Sequence, residues 1–195
     1  MTTYAALLRG INVGGKRVPM ADLRAILESL GHGDVRTYLQ SGNAVFTSDE
    51  RGERDGPDER AESDERDERR IADGIAEALA KHFGFPVDVL VRGHAYLKAV
   101  ADACPFPAAE LEGKQLHVTY LSEPVDADRF AHLDQDAFLP EAFRLGDRAL
   151  YLYAPDGLGR SKLAEALAKP RLYRGIVATS RNWNTVAKLV EMTRA

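Results

Sequence analysis

Cysteine is almost absent from this chain: Cys104 is the only one in 195 residues. An intramolecular disulfide is excluded, and so is a cysteine-rich metal centre, which suits a reducing compartment and makes a cytoplasmic location the expectation. Long apolar runs are missing too. None approaches the roughly 18 residues that cross a bilayer, so no membrane partner is expected. The start, Met1-Thr2-Thr3-Tyr4, lacks a basic region and a cleavage site, so no signal peptide is expected. The histidines His32, His82, His94, His117 and His132 never fall at H-x-x-x-H or H-E-x-x-H spacing, which argues against a zinc site.

What is present is an ordinary globular composition, 45% apolar, in a chain long enough for one or two domains. The net charge of −4 is misleading. Segment 49–70 holds 11 of the 30 acidic and 6 of the 26 basic residues, so the rest keeps 19 acidic against 20 basic. A nearly neutral body calls for neither nucleic acid nor an anionic membrane.

The pattern of strands and helices predicts an α+β protein of two ferredoxin-like (β-α-β-β-α-β) halves packed together, 1–92 and 93–195, with a closing C-terminal helix. In the first half, a strand over 3–9 feeds a glycine-rich loop over 10–15. A helix follows with Pro19 at its first position and Met20, Leu23, Leu27 and Leu30 at helical spacing. Strands over 35–40 and 43–47 join through Ser41-Gly42, a two-residue hairpin signal. Segment 49–70 has a single apolar residue, Ala61, and reads as a disordered connection that joins the next helix at its C-terminal end. Helix over 71–83, with Ile71, Ile75 and Leu79 on one stripe, and a strand over 87–91 complete the half. The second half reads as a linking helix over 95–103, a strand over 116–121, a helix near 126–133 and strands over 143–145 and 149–153. A helix over 161–168, a strand over 176–179 and a last helix over 182–193 follow.

Gly10 through Lys16 satisfies the G-x-x-x-x-G-K half of a phosphate-binding loop. Arg17 stands where that motif needs Ser or Thr for magnesium, and the sheet order is antiparallel, which argues against a nucleotide hydrolase. A weaker reading keeps the loop as an anion site, built from backbone N–H groups between Asn12 and Gly15, including Gly14, with Arg9, Lys16 and Arg17. The split β-α-β order puts the loop after strand one and the hairpin after strand two at one end of the sheet. Gln40, Ser41 and Asn43 therefore join the same rim. In the second half, Gly157-Leu-Gly-Arg160-Ser161-Lys162 and Thr179-Ser-Arg181-Asn182-Trp183-Asn184-Thr185 form a corresponding cluster. Ser161, Ser180 and Asn182 also suit helix caps, and Trp183 suits a packing anchor. Ser161 and Lys162 are adjacent and do not form a dyad on a helix. Gly157-x-Gly159 lacks the third glycine of a dinucleotide fingerprint. No catalytic residue or cofactor follows from these patterns.

Three strings, Leu7-Leu-Arg-Gly-Ile-Asn-Val-Gly-Gly-Lys16, Thr37-Tyr-Leu-Gln-Ser-Gly-Asn43 and Arg181-Asn-Trp-Asn-Thr185, resemble those of the bacterial domain-of-unknown-function family 1697. Ser161-Lys162-Leu163 resembles a fourth, less specific piece. The resemblance runs from Tyr4 to about Met192 and implies a bacterial, cytoplasmic, compact α+β protein. It implies no activity or catalytic residue. The charged segment 49–70 departs from the family's pattern.

Three functions are consistent with these features. The first is a binding protein or metal-independent enzyme for a small anionic ligand, a nucleotide or phosphorylated metabolite, held at a cleft between the halves. The second is a structural or protein-interaction module whose motif residues serve turns and caps. The third is a nucleic-acid-binding module, for which the sheet offers only Tyr4 and Phe46 as stacking aromatics.

Overall fold

Strand β1 (Thr2–Leu8) is an unbroken apolar run after its first two residues, and it is buried on both faces. That is the pattern of a central strand. In the computed structural model, which describes residues 1–49 and 60–194, β1 lies between β3 (Asn43–Ser48) and β4 (Val89–Gly93). With β2 (Gly33–Tyr38) at the edge, the sheet order is β2-β3-β1-β4, antiparallel throughout. Tyr4 faces Phe46 and Leu7 faces Asn43 across the β1–β3 ladder. Helix α1 (Met20–Ser29) turns Leu23, Ile26 and Leu27 inward; Pro19 precedes it as an N-cap without a side-chain bond.

Helix α2 (Arg60–Phe83) is the main departure from the sequence reading. It begins eleven positions before Ile71, so 60–70, expected to be disordered, is helical; 50–59 lies outside the described residues. The inward stripe of Ile71, Ile75 and Leu79 continues backwards at the same spacing through Asp67 and Ser63, both buried. These polar positions hid the stripe, because its register is helical while its chemistry is not apolar. Beside it, Glu68 accepts a bond from the Gly93 N–H (2.7 Å) and pairs with Arg92 (3.2 Å), each side chain only 5% exposed. Burial, and after it Asp67, raises the Tyr4 hydroxyl above its ordinary pKa.

The second sheet repeats the order with β6 (Ala142–Gly146), β7 (Ala149–Tyr153), β5 (Leu116–Leu121) and β8 (Ala178–Asn182) as β6-β7-β5-β8. Its core gathers Phe130, Phe143, Leu150, Leu152, Leu163 and Leu167. The helix expected near 126–133 is instead two 3₁₀ turns, Ala127–Phe130 and Gln135–Phe138. Asp126 takes the N–H of Asp128 and Asp134 that of Asp136, and such local bonds compete with an α-helix. Helix α4 (Lys162–Leu167) supplies the other crossover.

The fold is thus mixed α+β, two similar halves each with a four-stranded antiparallel sheet, and a C-terminal helix, α5 (Trp183–Thr193). The two compact units are Met1–Leu97 with Leu189–Ala195, and Lys98–Lys188. Their boundaries fall inside α3 (His94–Asp102) and inside α5 rather than at residues 92 and 93. The reason lies in the last turn of α5: Thr193 Oγ1 meets His94 Nδ1 at 3.0 Å, and Arg36 Nη2 donates to the Met192 carbonyl at 2.9 Å. Among the described residues no helix is long and apolar enough to cross a membrane.

Candidate functional site

In the first unit, the loop after β1 and the connection after β2 meet as the split order requires. Leu8 N–H donates to the Gly42 carbonyl (2.8 Å), and Asn12 Nδ2 donates to the Gln40 carbonyl (2.7 Å). The connection is longer than a two-residue hairpin: Tyr38 faces Asn43, leaving Leu39 to Gly42 as a four-residue loop. Leu39 and Gly42 both take positive φ, 57° and 82°. A Cβ on Gly42 would lie 2.8 Å from Leu8 Cβ and from Ile11 Cδ1, so glycine here permits close approach as well as the turn.

The glycine-rich loop is a miniature hairpin. Val13 and Lys16 form an antiparallel bridge, and Asn12 N–H donates to the Lys16 carbonyl at 2.6 Å. Gly14 and Gly15, with φ of 58° and 89°, occupy the two central positions, as a type I′ turn demands. The turn lies four residues before α1 and is no phosphate cradle at a helix N-terminus. Asn12 closes its base: Oδ1 accepts from the Val18 N–H (3.0 Å), and Nδ2 also reaches the Val18 carbonyl (3.2 Å). Buried Asn43 donates to the Tyr38 carbonyl and to Ser41 Oγ, both at 3.0 Å. Asn12 and Asn43 are therefore committed to holding the loops.

What remains available at this end is charge. Arg9, Lys16 and Arg17 are exposed, as are the side chains of Gln40 and Ser41. Arg9 lies 3.6 Å from Asp88, and Lys16 Nζ stands 5.9 Å over the Phe85 ring. The N–H groups of Gly14 and Gly15 have no acceptor among the described residues. Two apolar side chains share this end, Val13 (63% exposed) and Leu39 (54%).

In the second unit the two strings lie at one end of the sheet, since Tyr153 closes β7 opposite Leu116 and Asn182 closes β8 opposite His117. A turn that the sequence reading overlooked links them. Gly113 accepts from the Trp183 N–H (3.2 Å), while Gln115 bonds the Ala154 N–H through its carbonyl (2.7 Å) and the Pro155 carbonyl through Nε2 (3.0 Å). Its signal was Glu112-Gly113-Lys114, a polar glycine turn just before a strand; a Cβ on Gly113 would collide with Asn184.

The polar residues of these strings are also spoken for. Ser161 Oγ accepts from the Ala164 N–H (2.8 Å) and meets the Glu141 carboxylate, which takes the Leu163 N–H (3.1 Å). The start of α4 already holds a carboxylate. Asn182 Oδ1 caps α5 through the Thr185 N–H (3.0 Å). Arg181 is not a rim residue: it lies buried in β8, where Nη1 donates to Thr179 Oγ1 (2.8 Å) and to the Ser180 carbonyl (2.9 Å). Burial pushes its guanidinium down to about 10. Arg160, Lys162 and Asn184 are exposed, and Trp183 is half-buried.

Elsewhere, Cys104 is half-buried, its thiol donates to the Phe106 carbonyl (3.7 Å), and burial raises its pKa, the opposite of a nucleophile's environment. Tyr4 and Phe46 belong to the first unit's helix-covered core and are not exposed for base stacking. Among the described residues no group of three His, Cys, Asp or Glu side chains is placed to hold a metal ion.

The family profile described as "Protein of unknown function (DUF1697)" matches residues 1–60 and 59–151. The chain belongs to this family. Its matched ranges meet inside the charged segment and contain both strings of the first unit, while Arg181–Thr185 lies beyond them. No curated protein matches the chain. Among solved structures, the conserved bacterial protein SP0830 from Streptococcus pneumoniae is similar at 26% identity and a TM-score of 0.73, over 99% of each chain. This DUF1697 member therefore shares its two-sheet architecture, over 99% of the chain, with that conserved protein.

Proposed function

We propose that this DUF1697 protein is a bacterial, cytoplasmic binding protein for a small anionic ligand, a nucleotide or phosphorylated metabolite. The glycine hairpin of the first unit is its contact. One observation supports this most directly: Arg9, Lys16 and Arg17 surround a type I′ turn whose two glycine N–H groups have no internal acceptor. Asn12 ties the base of that turn to Val18 and to the Gln40 carbonyl, so the two N–H groups are held in place before any ligand arrives, which lowers the entropy lost on binding. Gln40 supplies a neutral donor on the same rim.

A thermal-shift screen against nucleotides and sugar phosphates tests the reading, with the Arg9→Ala/Lys16→Ala/Arg17→Ala variant alongside. A ligand at about 100 times its dissociation constant adds roughly 2.7 kcal/mol, or on the order of 5–10 °C for a chain of this size. The expected result is a shift that the triple variant loses while its own unfolding temperature stays close to the parent's. An undiminished shift in that variant removes the hairpin from the site.

The exposed pair Val13 and Leu39 favours a second reading, a protein-interaction module that docks through these two loop tips. In that case no anion shifts the unfolding temperature, and Val13→Ser together with Leu39→Ser abolishes association with a partner protein.

A further inference from the structure

The second unit holds another basic concavity, lined by residues outside every motif string. The 3₁₀ turns Ala127–Phe130 and Pro170–Tyr173 are tied together by Arg129, whose Nη1 donates to the carbonyls of Leu172 and Arg174, both at 3.1 Å. Beside that tie opens a cavity of about 470 Å³ lined by Arg129, His132, Arg171 and Leu172. Arg171 Nη2 lies 3.1 Å from His132 Nε2. A guanidinium can only donate, so in this approach the ring nitrogen is the acceptor.

Two arginines thus point at one cavity, and neither has a carboxylate partner among the described residues. Paired guanidinium groups repel unless a counter-charge lies between them. Arg129 is held in one orientation by its two carbonyl bonds, so it is a preorganised donor rather than a mobile surface charge. Arg171 leans on the His132 ring nitrogen, a contact it can exchange for a stronger acceptor. Planar guanidinium forks match the oxygens of phosphate two at a time. The volume, about 470 Å³, exceeds what a bare phosphate fills; the concavity is open to solvent, and buried Leu172 gives it an apolar floor.

We infer that this concavity binds the phosphate group of a small phosphomonoester, with Arg129 and Arg171 dividing the phosphate oxygens and His132 next to them. The site is independent of the glycine hairpin and stands or falls separately from it.

The test is an NMR titration of the full chain that follows the histidine side-chain nitrogens, with His132 assigned from a His132→Gln variant. Ribose 5-phosphate, inorganic phosphate and ribose are the three probes. Ribose 5-phosphate is expected to move the His132 signals saturably and ribose to leave them in place; inorganic phosphate, if it binds as well, reports the anion subsite alone. Arg171→Gln should weaken ribose 5-phosphate by roughly tenfold or more, the loss of one bidentate contact, and Arg171→Lys by less. The Arg9→Ala/Lys16→Ala/Arg17→Ala variant should bind at this site as the parent does. Silence of His132 towards both phosphates at millimolar concentration overturns the inference. So does a response that Arg171→Gln leaves intact, or one that the hairpin variant abolishes.

Discussion

At the scale of single residues, the motif amides and glycines have structural duties that their types foretell. Asn12 adopts φ of 56°, a conformation asparagine tolerates better than most residues, and its carboxamide then bonds three backbone groups. The role was legible as turn chemistry, but not which backbone atoms it would bond, because Gln40 lies 28 positions away. Arg181 shows the opposite case. Its place in a polar string suggested a rim, whereas strand pairing with Val118 puts it in the interior. His117, on the same strand as Val118, gives the residue-scale prediction. Its ring is buried, Nδ1 has no hydrogen-bond partner among the described residues, and burial lowers its pKa from 6.5. Protonation therefore favours the unfolded chain. The stability gained by keeping the ring neutral is whole above the unfolded pKa and is lost as pH falls below it towards the folded one. Urea unfolding of the parent should weaken between about pH 7 and pH 5 more steeply than that of His117→Gln. Parallel profiles would exclude this histidine as a contributor.

At the scale of elements, α2 is where composition and packing part ways. Read by residue type, 60–70 cannot bury itself; read by spacing, it extends the stripe of Ile71, Ile75 and Leu79 to Asp67 and Ser63. Glu68 then receives a strand-end N–H and the Arg92 guanidinium, so its charge is buried with partners in place. Breaking one side of such a pair leaves an uncompensated buried charge. Glu68→Ala should cost about 3–5 kcal/mol in chemical denaturation, whereas Arg66→Ala, on the exposed side of the same helix, should stay within about 0.5 kcal/mol. A near-neutral Glu68→Ala would mean that the first turns of α2 do not dock on the sheet. The 3₁₀ turns after β5 teach the converse: Asp126 and Asp134 were visible, but their local bonds outweigh the helical spacing that surrounds them.

At the scale of the whole molecule, the repeated sheet order is the organising fact, and the C-terminal helix is shared between the two units. Its last turn belongs with β2 and α3 through Arg36 and His94. Truncation after Lys188 should therefore lower hydrogen-exchange protection in β2, β3 and β4 before it affects β5, β6 and β7. Equal loss in both sheets would contradict the division at Leu189.

The sequence by itself determined the strand order and every α-helical crossover but the one expected near 126–133, because periods of two and near four are written in the apolar positions, and turn glycines punctuate them. It also determined family membership and the meeting of the glycine loop with the β2–β3 connection, since the split order admits one arrangement of their ends. Only the tertiary structure decided which polar residues are spent inside. Asn12, Asn43, Ser161, Asn182, Arg181 and Glu68 find partners through pairing registers and buried contacts that span distant positions. The Arg129–Arg171 concavity was hidden for the same reason: its two arginines stand 42 positions apart, and only the packing of two 3₁₀ turns brings them to one cavity.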